Sequence, residues 1–220
     1  MRQEDCDAPR PAEPATVRLR FTTVRPLRCL VWIGVPYAFP MRILLVNPPH
    51  TAIGSRCVPD DHLPPLSLLA LGGPLIDAGH QVELLDADLT NLAPELIIDE
   101  VCRRAPEAVL LGHSGSTSAH PTVVLLTRAL RARLPQAKLV YGGVFPTYHW
   151  REVLEQEPQL DVLVRGEGED TVVRLMAALA AGTELETVRG IAFRRLGAAF
   201  ATPEAETSRA TTTGARSARW

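Results

Sequence analysis

Three short stretches carry residue types suited to holding a ligand. Residues 112 to 119 read GHSGSTSA, a concentration of hydroxyls and small side chains. Residues 142 to 147 read GGVFPT and open on two glycines, and residues 47 to 50 read NPPH. Small residues leave a slot between neighbouring elements. Hydroxyls and backbone amides line such a slot with hydrogen-bonding groups, so a flat, polar-edged molecule enters it without steric cost. Glycines at one such loop can also serve only as a tight turn; two glycine-bearing loops side by side favour a ligand. The connection from Asn47 to Pro65 is long for a strand–helix link, which points to a functional loop. It contains neither GxGxxG nor GxxxxGK(S/T), the patterns that let backbone amides approach phosphates at a helix start. A phosphoacceptor reading also fails: the third strand ends in Gly112-His113-Ser114-Gly115 without an aspartate, and the fifth ends in Arg165-Gly166-Glu167 without a lysine.

The remaining titratable residues fit plainer roles. His62 reads as a loop-surface histidine, His80 as part of a turn, His120 as a helix start before Pro121, and His149 as a solvated helix start. His113 faces the crevice if the strand register is right. Asp60 and Asp61 are adjacent and so point apart in extended chain, which makes a poor metal pair. Glu167 is a contact candidate, whereas Glu169-Asp170 suit the start of the next helix, where acids meet the positive end of the helix dipole. The four cysteines, Cys6, Cys29, Cys57 and Cys102, form no CxxC or CxxxCxxC group. Free thiols in a reducing cytoplasm are the expectation.

These loops must be positioned by a regular scaffold. Apolar runs at Arg42–Asn47, Gln81–Leu85, Ala108–Leu111, Lys138–Tyr141 and Val162–Val164 read as five buried strands. Helical spacing follows each one, at 65 to 78, 94 to 104, 122 to 134, 150 to 157 and 170 to 181. Strand–helix alternation of this kind predicts an α/β, doubly wound (Rossmann-like or flavodoxin-like) five-stranded parallel sheet with helices on both faces. Residues 190 to 195 (GIAFRR) add a candidate sixth short strand. In such sheets ligands bind beyond the carboxyl ends of the strands, which is where the loops above fall.

Around this scaffold the chain divides in three. Residues 41 to 195 are the expected domain, with Met41 a candidate natural start. Residues 1 to 40 are an expected poorly ordered extension, and residues 196 to 220, rich in small polar residues after Pro203, an expected disordered or truncated tail. The apolar run from Arg28 to Pro40 is too short and too proline-broken to span a membrane, and no small-residue cleavage pattern follows it. A formal net charge of −2 gives no bulk attraction to nucleic acid or to anionic membranes.

The loops in this order resemble those of the cobalamin-binding domain at the front of cobalamin-dependent radical S-adenosylmethionine enzymes. The matching pieces are RILLVNPP (42 to 49), LPPLSLLALGGPLIDAGHQVELLD (63 to 86), GHSGST (112 to 117), YGGVFPT (141 to 147) and VRGEGEDT (164 to 171). DDHLPPL and HSGST also resemble proteins described as anaerobic magnesium-protoporphyrin monomethyl ester cyclases. The resemblance implies that the nucleotide tail of cobalamin threads between the sheet and the helices. There it would touch His113, Ser114, Gly115, Ser116 and Thr117 after the third strand, and Gly142 and Gly143 after the fourth. It implies a corrin ring over the strand ends, against Asn47, Pro48, Pro49, Val144, Pro146 and Thr147, with Gly166 and Glu167 facing the cofactor and a neighbouring domain.

Mutase-type cobalamin domains carry DxHxxG, whose histidine binds cobalt. Here Pro48 stands where the aspartate would be, and the glycine is displaced by one. A metal-binding histidine ordinarily needs an acidic or carbonyl partner on its second nitrogen, so the sequence counts against His50 as a cobalt ligand, and no other metal site is expected. Radical S-adenosylmethionine chemistry needs three cysteine thiolates for its iron–sulfur cluster, and no such group occurs in this sequence. The reading is therefore a cobalamin module without its catalytic half, served by a radical S-adenosylmethionine domain or a partner protein. The alternatives are a small-ligand-binding or partner-binding α/β module without catalysis, and a nucleotide-dependent oxidoreductase.

Overall fold

A computed structural model describes residues 40–49, 64–113 and 117–205, with His113 and Thr117 described in backbone only. Five strands are parallel: β1 (Arg42–Asn47), β2 (Gln81–Asp86), β3 (Ala108–His113), β4 (Lys138–Gly143) and β5 (Val162–Val164). The helices are α1 (Leu66–Asp77), α2 (Pro94–Arg104), α3 (His120–Arg133), the short α4 (Val144–Tyr148), α5 (Trp150–Gln156) and α6 (Glu169–Ala181). Two further strands, β6 (Ile191–Arg195) and β7 (Ala198–Ala201), complete a sheet of order β2-β1-β3-β4-β5-β6-β7.

The expected five-stranded parallel sheet is therefore a seven-stranded mixed one. β6 runs antiparallel to β5, and β7 antiparallel to β6. The chain reverses at Leu196-Gly197, whose φ values of 51° and 83° form the kind of turn that matches strand twist in a tight hairpin. Without this hairpin the three-residue β5 would be an open edge; instead Ile191, Ala192 and Phe193 are buried beside it. Residues 198 to 201, assigned by composition to the tail, thus belong to the sheet, because backbone pairing needs no strong side-chain pattern. Residues 206 to 220 lie outside the described residues.

Strand alternation sends successive side chains to opposite faces. Ile43, Leu45, Leu110, Val140 and Val164 meet α1 and α6 on one face. Leu44, Val46, Leu111, Leu139, Tyr141 and Leu163 meet α2, α3 and α5 on the other. The amino end of β1 is sealed by His80, 6% exposed, whose Nδ1 accepts the Met41 amide at 3.2 Å. Burial holds the His80 pKa below its ordinary value, as the acceptor role requires.

Candidate functional site

β3 and β4 both run past the residues where their apolar stretches stop. Gly112 pairs with Gly142, and His113 with Gly143. Gly112 and Gly142 follow Leu110 and Val140 on the α1/α6 face, so that face loses its side chains at the carboxyl end of two adjacent strands. A Cβ added at Gly112 would lie 3.3 Å from the Gly142 carbonyl oxygen and 3.5 Å from Leu68 Cδ2, and one at Gly142 would lie 3.6 Å from Val164 Cβ. The result is a trough of about 430 Å³ between α1 and α6, within the usual size range of small-molecule sites.

The trough is apolar in depth and polar at its mouth. Leu68 and Leu71 of α1 wall it on one side and Val172 of α6 on the other, above Leu110, Val140 and Val164. Apart from the partly covered Leu71, these side chains are at most 5% exposed. Ser67, Val144, Thr147, Tyr148, Gly166, Glu167 and Glu169 ring the opening. Tyr148 is 78% exposed and Val144 52%, and Leu66, at the start of α1, is 69% exposed. Gly168 sets the approach of the two helices, since a Cβ there would fall 2.9 Å from Leu71 Cδ2.

One hydroxyl fastens the mouth. Thr147 Oγ1 donates to the Gly143 carbonyl at 2.7 Å and accepts the Gly166 amide at 3.0 Å. It joins the turn after β4 to the turn after β5. Gly143 takes φ 115° and ψ −169°, a conformation that side chains disfavour, to swing the chain from β4 into α4. No Lys, Arg or His stands among the described residues lining the trough. Arg165, adjacent in sequence, is engaged elsewhere: its guanidinium lies 5.4 Å from the Trp150 ring centroid and donates to the Thr202 carbonyl at 3.4 Å.

The opposite face at the same level is filled. Tyr141 is buried, and burial raises its hydroxyl pKa. His120 stacks on Phe145 at 4.1 Å between ring centroids, and Phe145 stacks on His149 at 4.5 Å. His120 Nδ1 is buried with no hydrogen-bond partner among the described residues, and burial lowers its pKa. His149 is instead half-exposed, 3.1 Å from Glu152.

Of the residues singled out in the sequence, Gly142, Gly143, Val144, Thr147, Gly166 and Glu167 come together around the trough. Asn47, Pro48, Pro49 and Pro146 are buried and do not line it. Asn47 Nδ2 donates to Asp86 Oδ1 at 2.8 Å across the ends of β1 and β2. His50, Ser114, Gly115 and Ser116, like Asp60, Asp61 and His62, lie outside the described residues. The backbones of His113 and Thr117 border the loop after β3, at the end of β3 and in the turn before α3. The α1 wall carries no signal of its own in the sequence, since Ser67, Leu68 and Leu71 read simply as part of a helix. Gly112, which the sequence places at the start of the loop after the third strand, pairs within that strand. Among the described residues there is no cluster of three or more His, Cys, Asp or Glu able to hold a metal ion.

Three comparisons with known proteins converge. Residues 56–176 match the family described as B12 binding domain. The anaerobic magnesium-protoporphyrin IX monomethyl ester cyclase of Synechocystis is 59% identical over 155 residues, covering 70% of this chain and 31% of that protein. The cyclase of the same description from Cereibacter sphaeroides is 31% identical over 160 residues, 70% of this chain and 25% of that protein. The chain thus spans a third or less of the length of these relatives. Among solved structures, the radical S-adenosylmethionine methyltransferase TsrM of Kitasatospora setae, with cobalamin and an iron–sulfur cluster bound, superposes with TM-score 0.64 at 21% identity. That match covers 76% of this chain and 30% of TsrM. The cobalamin-dependent enzyme OxsB with aqua-cobalamin bound gives 0.62 at 22% identity, covering 76% of this chain and 23% of OxsB.

Proposed function

The chain belongs to the B12-binding domain family, and on that premise we propose that it holds cobalamin with the nucleotide tail in the trough between α1 and α6. The single observation that carries this placement is the paired absence of side chains at Gly112 and Gly142, in register on adjacent strands and walled by Leu68, Leu71 and Val172. A cradle that Cβ atoms would begin to fill suits a flat ring slid against the sheet. The corrin then rests over the strand ends, on the apolar rim of Leu66, Val144 and Tyr148. The proposed cofactor contacts are Gly143, Thr147, Gly166 and Glu167 at the mouth, together with Ser114, Gly115, Ser116 and Thr117, and with Asn47, Pro48, Pro49, His50, His113 and Pro146, as the resemblance implies.

Bound cobalamin supplies a cobalt centre capable of redox and alkyl-transfer chemistry. The chain's own part is binding and orientation. Thr147 fixes the two turns that frame the opening, and the apolar walls exclude water from the tail. Among the described residues the lining holds no Lys, Arg or His, which argues against the nucleotide-dependent oxidoreductase alternative, since polyphosphates call for amide nests or basic side chains.

The functional unit under this reading runs from Met41 through the β6–β7 hairpin, with the five parallel strands as its ligand-bearing part. Its partner is a radical S-adenosylmethionine domain, in the same polypeptide or in another. The names of its relatives make cyclisation of a magnesium-porphyrin ester the proposed reaction of the complete system; the cytoplasm is its proposed location, from the unclustered cysteines of the sequence. No helix among the described residues is long and apolar enough to cross a membrane. The test is retention: the purified chain is mixed with hydroxocobalamin, desalted, and the corrin absorbance read. About one equivalent of corrin per chain is expected at micromolar protein. A colourless protein fraction would sink the proposal.

A further inference from the structure

Resting on that placement of the nucleotide tail, we infer that the first half of α1 is a gate: residues 66 to 71 swing about Gly72-Gly73-Pro74 to let the tail into and out of the trough. Proline has no amide proton, so Pro74, inside the helix, cannot donate to the Ala70 carbonyl, and its ring crowds that carbonyl. Glycine weakens a helix interior relative to alanine. The backbone requires neither glycine, since both lie outside the left-handed region. Packing does not require them either. Gly73 is exposed, with no described atom within 4 Å of where its Cβ would be, and a Cβ on Gly72 would meet Leu45 Cδ1 at an ordinary 3.6 Å. α1 thus carries its poorest helix formers in succession at one joint, and a local rule broken without a packing reason marks a functional position.

The two halves that meet at this joint are held differently. The second half is anchored: Leu75 is fully buried and Ile76 packs on the core. The amides of Ala78, Gly79 and His80 close that end on the carbonyls of Pro74, Ile76 and Leu75. The first half is the wall of the trough, through Ser67, Leu68 and Leu71. Its inner leucines face glycines: a Cβ added at Gly112 would stand 3.5 Å from Leu68 Cδ2, and one at Gly168 2.9 Å from Leu71 Cδ2. Those glycines have no side chain to interlock with the wall, so outward rotation slides past smooth backbone there. The joint begins at the residue after Leu71, which leaves the whole wall on the moving side. Parting Leu71 from Gly168 separates α1 from α6 and opens the way to the sheet. Hinges of this kind are a few residues that absorb the change in φ and ψ.

Stopped-flow mixing of the full chain with hydroxocobalamin gives the association rate, and a chase with excess cyanocobalamin gives the dissociation rate, both by absorbance. Gly73→Ala and Pro74→Ala make the helix harder to break and leave every wall residue in place. The gate is closed before binding and after it, so the substitutions act on the passage between. Association and dissociation are each expected to slow, about fivefold in Gly73→Ala and about tenfold or more in Pro74→Ala. Kd should stay nearly constant, and the thermal midpoint should hold or rise. Slowing of both rates at constant Kd is the mark of a gate, because a lost wall contact changes dissociation and Kd together. Unchanged rates in both variants would overturn the gate and leave the tail placement standing. A change in dissociation alone would also overturn it, making residues 66 to 71 a fixed wall. Failure of the unsubstituted chain to bind hydroxocobalamin would overturn the cobalamin reading itself, and the gate with it.

Discussion

One residue separates a filled face from a hollow one at the carboxyl ends of β3 and β4. Leu111 and Tyr141 sit in register and are buried against α3 and α5, with His120, Phe145 and His149 stacked beyond them. Gly112 and Gly142, the next pair along the same strands, leave the trough on the α1/α6 face. Because side chains alternate with a period of two, the fold packs and binds with the same two strands. The glycine-bearing face gives up packing to make room, and the opposite face supplies the rigidity. A one-residue slip of either strand would exchange the two.

The largest effect is expected from exchanging those roles by mutation. Gly142→Leu fills the trough from a strand position with no positive φ to strain. Corrin retention should fall by about a hundredfold or more, close to 2.7 kcal/mol of binding, while the thermal midpoint moves little. Leu139→Ala, on the filled face, should do the reverse: about 2–5 kcal/mol of stability lost in urea unfolding, with corrin retention kept by the protein that remains folded. If Gly142→Leu unfolded the chain, or Leu139→Ala abolished retention at full folding, the division of labour between the faces would be wrong. Gly143 is a poorer target, since any side chain there is strained at φ 115°.

The strands and long helices could be read from the sequence because their cores follow the periods of 2 and 3.6. β1, β2 and β5 fall at or within one residue of their expected bounds, and α2 on them. Glycine defeated the same reading at the site. Gly112, Gly142 and Gly143 look like strand stops in sequence, yet they pair in the ladder, because a glycine cannot signal whether its missing side chain marks a turn or a hollow. The β6–β7 hairpin escaped full notice since its turn is Leu196-Gly197 rather than the Asn-Gly or Asp-Gly pairs that announce such turns. The mouth of the site was legible in GGVFPT and RGEGE. Its α1 wall was not, as Leu68 and Leu71 have the spacing of any buried helix face.

A smaller effect is expected at the clamp between the two turns. Thr147→Val removes both hydrogen bonds of the hydroxyl at nearly constant shape. Cofactor dissociation should quicken by roughly tenfold, the worth of one to two net hydrogen bonds, and Thr147→Ser should restore it. Equal dissociation rates in all three proteins would remove Thr147 from the positioning of the mouth.

The smallest effect concerns pH and falls away from the trough. His80 and His120 both have pKa values lowered by burial from the ordinary 6.5. The unfolded chain therefore takes up their protons first as pH falls. Their stability contribution is full above 6.5 and is lost progressively below it, towards the lowered folded-state values. The urea midpoint should drop between pH 7.5 and 5.5. His80→Gln, which has no such proton to take up, should flatten part of that slope. A midpoint that held or rose on acidification would contradict the neutral, buried state of both rings.

The most direct test is a crystal structure of the full chain with cobalamin bound. The lower base is expected between α1 and α6, in contact with Gly112, Gly142 and Leu68, with the corrin over Val144 and Tyr148. A base lying on the α2/α3/α5 face, or a trough closed by protein with the cofactor elsewhere, would contradict it.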